Sequence, residues 1–202
     1  GLVKALGNVA LFEKVYLRIY PKEAMTAQQL NELLRFLIDN QDYTRAHYYL
    51  DDVWQSRNKQ EQVKRLDLLN EVYQLQGDSK SQLQTLGEAF ELYSTPSRLK
   101  AIMAIASLAQ QSQWRKKAYE LAEQQESIVR AITLLLEIND KALANKIAIA
   151  RHLEFAEVHY ETLTQMLKDL PEGTTLIQVI IYRSLINDIL DQGRSKAYGY
   201  AA

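Results

Sequence analysis

The sequence is poor in the residues that interrupt helices or cross-link chains. It contains no cysteine and only 7 glycines and 3 prolines among 202 residues, where average usage of glycine and proline is about 7% and 5%. The absence of cysteine excludes disulfides, thiol nucleophiles and Cys-ligated zinc. No apolar run approaches the roughly 18 residues of a membrane span, and charges interrupt the first residues, unlike a signal peptide. We therefore expect a helical, cytoplasmic protein with no membrane partner.

The sequence also lacks an excess of charge of either sign and the motifs of common reaction centres. Lys and Arg number 24 against 25 Asp and Glu, a formal net charge of -1. Such a chain has no long-range field to collect phosphates, so general nucleic-acid binding is not expected. No G-x-S-x-G, glycine-rich phosphate loop or H-E-x-x-H is present. We assign no catalytic residue, no cofactor and no metal ligand.

What the sequence does contain is apolar residues at helical spacing along nearly its whole length. Thr26 and Gln29 form a capping-box pair, Asp42 is an N-cap residue, and Thr95 precedes a proline at the first helical position. The pattern predicts an all-α fold of about ten helices. They cover Leu2 to Tyr20, Thr26 to Asn40, Asp42 to Trp54, Lys59 to Gln76, Asp78 to Tyr93, Thr95 to Ala106, Trp114 to Ala122 after a turn at Ser112-Gln113, Ile128 to Ile138, Ala142 to Leu153, Phe155 to Leu170, and Thr174 to Gln192.

The last of these segments is ambiguous, because TTLIQVIIY is rich in β-branched residues that favour strands. Its apolar residues nevertheless keep helical spacing, from Leu176 and Val179 to Ile189 and Leu190. No partner strand is evident elsewhere in the chain. We therefore interpret it as a helix.

Turn signals recur along the chain. Asp42, Asp78 and Trp114 are spaced 36 residues apart, and the next signal, Asp140, follows after 26. DYTRA at residues 42–46 and WRKKA at 114–118 both have an aromatic residue shortly before an alanine. Over residues 26–153 the chain resembles a degenerate tetratricopeptide-like α-solenoid, a class whose periods run from about 34 to 47 residues. The resemblance implies a right-handed superhelix of antiparallel helical hairpins, with an N-terminal helix or cap at 1–25 and a C-terminal hairpin and final helix at 154–202.

The tail, DQGRSKAYGYAA, resembles the start of a terminal helix in an uncharacterised bacterial family of helical-repeat proteins. No activity is assigned to those proteins, so none is implied here. The resemblance implies that the chain is part of a larger protein. The tail also contains a cluster of basic and aromatic residues, Arg194, Lys196, Tyr198 and Tyr200.

Residues 40–54, NQDYTRAHYYLDDVW, are the densest cluster of polar and aromatic side chains. His47, Tyr48, Tyr49 and Asp51 are our candidate partner-binding residues, because tyrosine is enriched at protein interfaces. Tyrosine suits the seams between helices equally well, so Tyr48 and Tyr49 stay open between the two roles. His47 and Asp51 are four residues apart and could share a metal ion, but two ligands are too few for a site. A solvated polar helix face is the alternative interpretation of this segment.

Two other clusters carry rival functions. RHLEFAEVHYE at residues 151–161 places His152 and His159 among glutamates, which would suit a metal-dependent helical enzyme or simply a polar helix end. Arg115, Lys116 and Lys117 lie beside Trp114, which would suit a nucleic-acid-associated repeat or ordinary pairs with Glu120 and Glu123. Without a reaction motif, we expect a non-catalytic protein–protein interaction scaffold. Its partner would be a protein, a peptide or another domain of the same chain, with self-association through an exposed end of the array.

Overall fold

The computed structural model describes residues 8–198, with side chains described through residue 190. Within this range the chain is helical and contains no β-strand, which confirms the all-α prediction. The predictions made for Leu2 and Leu6 of the first helix, and for Arg194, Lys196, Tyr198 and Tyr200 as a surface, lie outside the described residues or side chains.

The chain folds into two compact units, Gly1–Tyr93 (unit 1) and Ser94–Ala202 (unit 2). This division follows packing, whereas the predicted segments 1–25, 26–153 and 154–202 follow the repeat spacing and stay a prediction. Unit 1 contains α1 (Val9–Ile19), a 3₁₀ turn (Lys22–Ala24), α2 (Ala27–Asp39), α3 (Tyr43–Tyr48) continuing into a π-helical segment (Tyr49–Val53), α4 (Lys59–Gln76) and α5 (Ser79–Leu92).

Unit 2 begins with α6, whose start has the predicted Thr95 cap and Pro96 at the first position. Its elements are α6 (Pro96–Ile105), α7 (Leu108–Glu123), α8 (Ile128–Glu137), α9 (Lys141–Ala150), a 3₁₀ segment (His152–Glu157), α10 (Tyr160–Asp169) and α11 (Thr175–Tyr198). The ambiguous β-branched segment is therefore helical, as predicted. Ile177 and Ile181 of α11 are buried, whereas Ile186, Ile189 and Leu190 are exposed.

The same turn joins three pairs of consecutive helices. In each, a residue with positive φ precedes an aspartate: Gln41-Asp42 (φ 60°), Gly77-Asp78 (φ 74°) and Asn139-Asp140 (φ 55°). The aspartate N–H donates to a carbonyl five residues back, a bond typical of Schellman-type helix ends. The aspartate carboxylate then accepts the N–H three residues on, which caps the next helix. The Asp42, Asp78 and Asp140 signals thus mark true helix-to-helix turns.

Gly77 provides a test of this turn. A Cβ added at Gly77 would meet nothing within 4 Å, so any cost of Gly77→Ala is that of holding an L-residue at positive φ. We expect Gly77→Ala to lower the free energy of unfolding by about 1 kcal/mol. The converse change at the matching position, Gln41→Gly, should raise it by up to about 1 kcal/mol. Urea unfolding measures the change in the free energy of unfolding for each variant, which should be negative for Gly77→Ala and positive for Gln41→Gly. Equal destabilisation by both changes would contradict the strain assigned to the turn.

Two predicted boundaries were wrong. The turn expected at Ser112-Gln113 lies inside α7, because Ser107 and Gln110 form a capping box that starts the helix six residues before Trp114. Trp114 is therefore no turn marker, and the 36-residue spacing holds only from Asp42 to Asp78. The predicted helix from Phe155 begins at Tyr160 instead, since residues 152–157 form a 3₁₀ segment that buries Phe155.

The core of unit 1 gathers the apolar faces of α1 to α5. Its fully buried side chains include Leu33, Leu34, Leu37, Ala46, Tyr49, Leu50 and Val72. The π-helical segment is marked by the Trp54 N–H, which donates to the Tyr49 carbonyl five residues back at 2.8 Å. Arg65 of α4 donates to the Leu50 carbonyl and, at 2.8 Å, to Asp51 Oδ1, so α4 fixes the π-helical segment in place.

Candidate functional site

Tyr49 is a core residue and not the surface contact predicted for it. Its side chain is fully buried, and its hydroxyl donates to Glu13 Oε1 at 2.6 Å. Arg45 lies 3.1 Å from the other oxygen of Glu13. Burial, followed by the hydrogen bond to Glu13, raises the pKa of Tyr49. Tyr49 follows Ala46 by three residues and precedes Val53 by four, so helical spacing itself places its ring in the core and not on a partner surface.

His47 and Asp51 contact each other and the adjacent helix α4. His47 Nδ1 lies 3.5 Å from Asp51 Oδ2, the i, i+4 proximity expected from the sequence. His47 Nε2 lies 3.0 Å from Gln76 Oε1, and its ring is 5.0 Å from that of Tyr73. Asp51 also pairs with Arg65. Both side chains thus hold α3 and the π-helical segment against α4, and partner binding through them stays a prediction.

Tyr48 is the predicted residue that presents an open face. It is 41% exposed, and its ring packs edge-on against Tyr49. Lys22 of the 3₁₀ turn donates to the Tyr48 hydroxyl at 3.1 Å, with its Nζ 4.8 Å from the Tyr48 ring centroid. Tyr48 thus joins two elements of unit 1 at the surface.

A groove of about 460 Å³ opens at this junction. One side is the 3₁₀ turn and the start of α2; the other is the π-helical segment and the irregular chain that follows it. We call it the Trp54 groove. Its lining residues are Lys22, Glu23, Met25, Ala27, Leu30, Tyr48, Asp52, Val53, Trp54, Gln55, Ser56, Arg57 and Glu61.

The Trp54 groove has an apolar floor and a polar rim of both charges. Met25, Leu30 and Trp54 are buried, while Lys22, Asp52 and Arg57 stand at the edge. The Trp54 indole Nε1 is buried and has no hydrogen-bond partner within the described protein. Buried donors are nearly always paired in folded proteins, so this N–H needs an acceptor, which a bound peptide or an ordered water can supply.

Sequence reasoning found Tyr48 but missed the opposite wall of the groove. Lys22, Glu23 and Met25 follow Pro21, and only their proximity in space to Tyr48 gives them a role. Trp54 was assigned to an apolar helix side, which its burial confirms. The available signal was the combination of Pro21, which ends α1, and Trp54, which ends the π-helical segment.

The described histidines of unit 2 do not gather with several carboxylates at one site. His152 Nδ1 lies 2.9 Å from the Ile149 carbonyl at the end of α9, and His159 Nδ1 lies 3.9 Å from Glu161 on an exposed surface. Among the residues that the structure describes, no group of three or more histidine and acidic side chains is placed to hold a metal ion.

Arg151 and Glu154 form a structural pair in the same stretch. Arg151 donates to Glu154 through Nε at 2.7 Å and Nη2 at 2.6 Å, and Nη1 reaches the Ala122 carbonyl at 3.4 Å. The hydrogen bond from Arg151 lowers the pKa of Glu154 and raises that of Arg151. This pair ties the 3₁₀ segment to the end of α7.

Two of the three cations in the basic cluster on α7 have partners within the protein. Arg115 donates to the Ile138 carbonyl at 3.2 Å and lies 3.9 Å from Asp140. Lys117 and Trp114 also have partners. The predicted alternative of ordinary ion pairs with Glu120 and Glu123 is thus replaced, for Arg115, by contacts to the turn before α9.

The model of a family of unknown function (DUF6880) matches residues 43–202 of the chain. The chain belongs to this family. The DUF6880 match covers Tyr48, Trp54 and Arg57 of the Trp54 groove and all of unit 2. No curated protein and no solved structure matches the chain. In the described part of this DUF6880 chain, no helix combines the length and apolar character that crossing a bilayer requires.

Proposed function

We propose that the protein is a non-catalytic protein–protein interaction module, and that the Trp54 groove binds an extended peptide segment of a partner. The groove itself is the observation that carries this proposal. It combines a buried apolar floor, a rim of both charges and an unpaired indole N–H. A small apolar centre surrounded by a polar and charged rim is the usual composition of a protein–protein contact surface.

In this proposal, the residues of each groove wall have a separate role. Met25 and Leu30 would contact an apolar side chain of the peptide, and a peptide carbonyl would accept from Trp54 Nε1. Lys22 and Arg57 would meet an acidic or carbonyl oxygen at the rim. Trp54 and Tyr48 both line the groove and are of the residue types that dominate interface energetics.

The finer fold is part of the proposal. The three matching turns at Asp42, Asp78 and Asp140 support tetratricopeptide-like hairpins within the units, and we propose that the hairpins follow a right-handed superhelix, as in that class. We also propose that the chain acts in the cytoplasm as part of a larger protein. Its partner would be a protein, a peptide or another domain of the same chain.

The test is a selection of peptides from a phage-displayed random library on the purified protein. Selected peptides, fluorescently labelled, should lose about five- to tenfold in affinity on Trp54→Phe, which keeps the ring and removes the N–H donor. Lys22→Ala should weaken them similarly. Fluorescence anisotropy provides the dissociation constants.

The chain offers a matched control, because it holds only two tryptophans. Trp114→Phe in unit 2 makes the same chemical change outside the groove and should leave the affinity unchanged. Equal affinity of Trp54→Phe and the original protein would contradict the proposal, as would a library that yields no binder.

The nucleic-acid alternative predicts a different result, affinity for single-stranded DNA that falls steeply with salt. The metal-enzyme alternative predicts bound metal in the purified protein.

A further inference from the structure

Unit 2 contains a second and larger groove, of about 660 Å³, between α8 and α10. We call it the Met166 groove. Its walls are one stripe from each helix, at the spacing of successive helical turns. The lining residues are Val129, Thr133, Leu136 and Glu137 of α8, Glu161, Thr162, Gln165, Met166 and Asp169 of α10, and Leu170 and Pro171 after it.

The floor of the Met166 groove is apolar. Met166 is buried, and Val129, Leu136, Leu170 and Pro171 are half-buried. Thr133 and Gln165 are exposed above this floor. Two helices of ten residues each flank the groove, so its length is about 15 Å at 1.5 Å per residue. An apolar trough of that length accommodates about three turns of a bound helix.

The rim of the Met166 groove is acidic. Glu137, Glu161 and Asp169 line it, and no lysine or arginine does. Two of these carboxylates have weak cationic neighbours outside the lining: Lys100 Nζ lies 3.4 Å from Glu137, and His159 Nδ1 lies 3.9 Å from Glu161. All three acids are exposed and thus available to a partner.

The acidic character extends beyond one end of the groove. An adjoining hollow of about 460 Å³ shares Val129 and Thr162 with it. This hollow adds Glu126, Glu154 and Glu157 and one cation, Arg130, to the lining. Arg151 already neutralises Glu154. The combined trough therefore keeps an excess of carboxylates along its length.

We propose that the Met166 groove binds an amphipathic helix of a partner protein, with its apolar face on the floor and lysines or arginines along both flanks. Helices commonly dock into apolar grooves through residues spaced three and four apart. Charge complementarity selects the flanks, since like charge at the rim would repel an acidic helix. This site is distinct from the Trp54 groove and takes a different ligand, so the proposal does not depend on the function proposed for unit 1.

The probe is a fluorescein-labelled peptide of about 18 residues, roughly five helical turns, with leucines on one face and lysines flanking them. Its control carries glutamates in place of the lysines. We expect the basic peptide to bind the full chain with micromolar affinity at low salt and the acidic control not to bind. In the variant E137K/E161K/D169K, binding should fall tenfold or more, because three attractive contacts become repulsive.

Two further variants make the result specific. E137Q/E161Q/D169N should give an intermediate affinity. D39K/E88K/E120K reverses three exposed carboxylates outside the groove and should behave as the original protein. Circular dichroism and thermal unfolding check that each variant is folded, and Met166→Glu serves as a single change in the floor that should also weaken binding.

Several results would overturn the proposal. One is equal loss of binding in the groove triple and in the control triple, which would indicate non-specific charge attraction. A second is failure of the basic peptide to bind. A third is a dimer in sedimentation velocity that Met166→Glu dissociates, which would assign the groove to a second copy of this chain.

Discussion

Tyr49→Ala should lower the free energy of unfolding of unit 1 by about 3–5 kcal/mol, the range for large aromatic side chains removed from a core. Tyr49 has no exposed surface and packs among the core residues of unit 1. Its removal also leaves the Glu13 carboxylate without the hydroxyl that now lies 2.6 Å away. The measurement is urea unfolding followed by tryptophan fluorescence in a Trp114→Phe background, where Trp54 reports on unit 1.

Two neighbouring changes separate the contributions at this position. Tyr49→Phe keeps the ring and should cost about 1.5–3 kcal/mol, the range for a hydrogen bond to a charged group. Tyr48→Ala, at an exposed ring, should cost at most about 1 kcal/mol, the value of an exposed cation–π contact. If Tyr48→Ala proved as destabilising as Tyr49→Ala, the assignment of Tyr49 to the core and of Tyr48 to the surface would be wrong.

Phe155→Ala should have an effect of the same size in unit 2, about 3–5 kcal/mol. Phe155 is fully buried within the 3₁₀ segment, which contacts both α9 and α11. Removing the Phe155 ring leaves a cavity and takes away the side chain that anchors the 3₁₀ segment in the core. The Arg151–Glu154 ion pair cannot take over this role, because its contacts lie nearer the surface. Unfolding should be followed in a Trp54→Phe background, where Trp114 reports on unit 2.

Leu153→Ala is the matched comparison, because Leu153 belongs to the same segment and is 75% exposed. Its cost should stay within about 0.5 kcal/mol, as for surface substitutions in general. A large loss at Leu153 together with a small loss at Phe155 would mean that the segment packs with its other face inward.

Much of the fold was predictable because local chemistry and packing agree. The Asp42 and Asp78 caps, the Thr26–Gln29 capping box and the Thr95-Pro96 start are each determined by two or three adjacent residues. Such signals act over one helical turn and so survive in any tertiary context. The helix at Thr175–Tyr198 was predictable from spacing, even against the β-branched content of its first residues.

The errors have different causes. Tyr49 lies three residues after Ala46 on the buried side of its helix, and it was considered for a partner surface because of its residue type and not its spacing. The 3₁₀ segment at His152–Glu157 changes the helical period and displaces the start of α10. The α7 start was missed because the Ser107–Gln110 capping box flanks an exposed leucine, Leu108, and is not followed at once by an apolar stripe.

Neither groove was predictable from the sequence. Each one depends on two segments distant along the chain, residues 22–30 with 48–61 and residues 129–137 with 161–171. Helical periodicity reports which side of one element is apolar, and it contains no information on which elements lie side by side. Tyr48 was found because its residue type is common at interfaces, whereas Lys22 and Met166 have no such signal.

Amide hydrogen exchange of the full chain, with and without a peptide selected by it, tests the proposed function most directly. Binding in the Trp54 groove predicts slower amide exchange in residues 22–30 and 48–57 of the original protein. In the Trp54→Phe variant, the same peptide should leave the exchange of these residues unchanged, because the variant has lost affinity for it. Protection confined to other residues, with these two segments unchanged, would contradict the account.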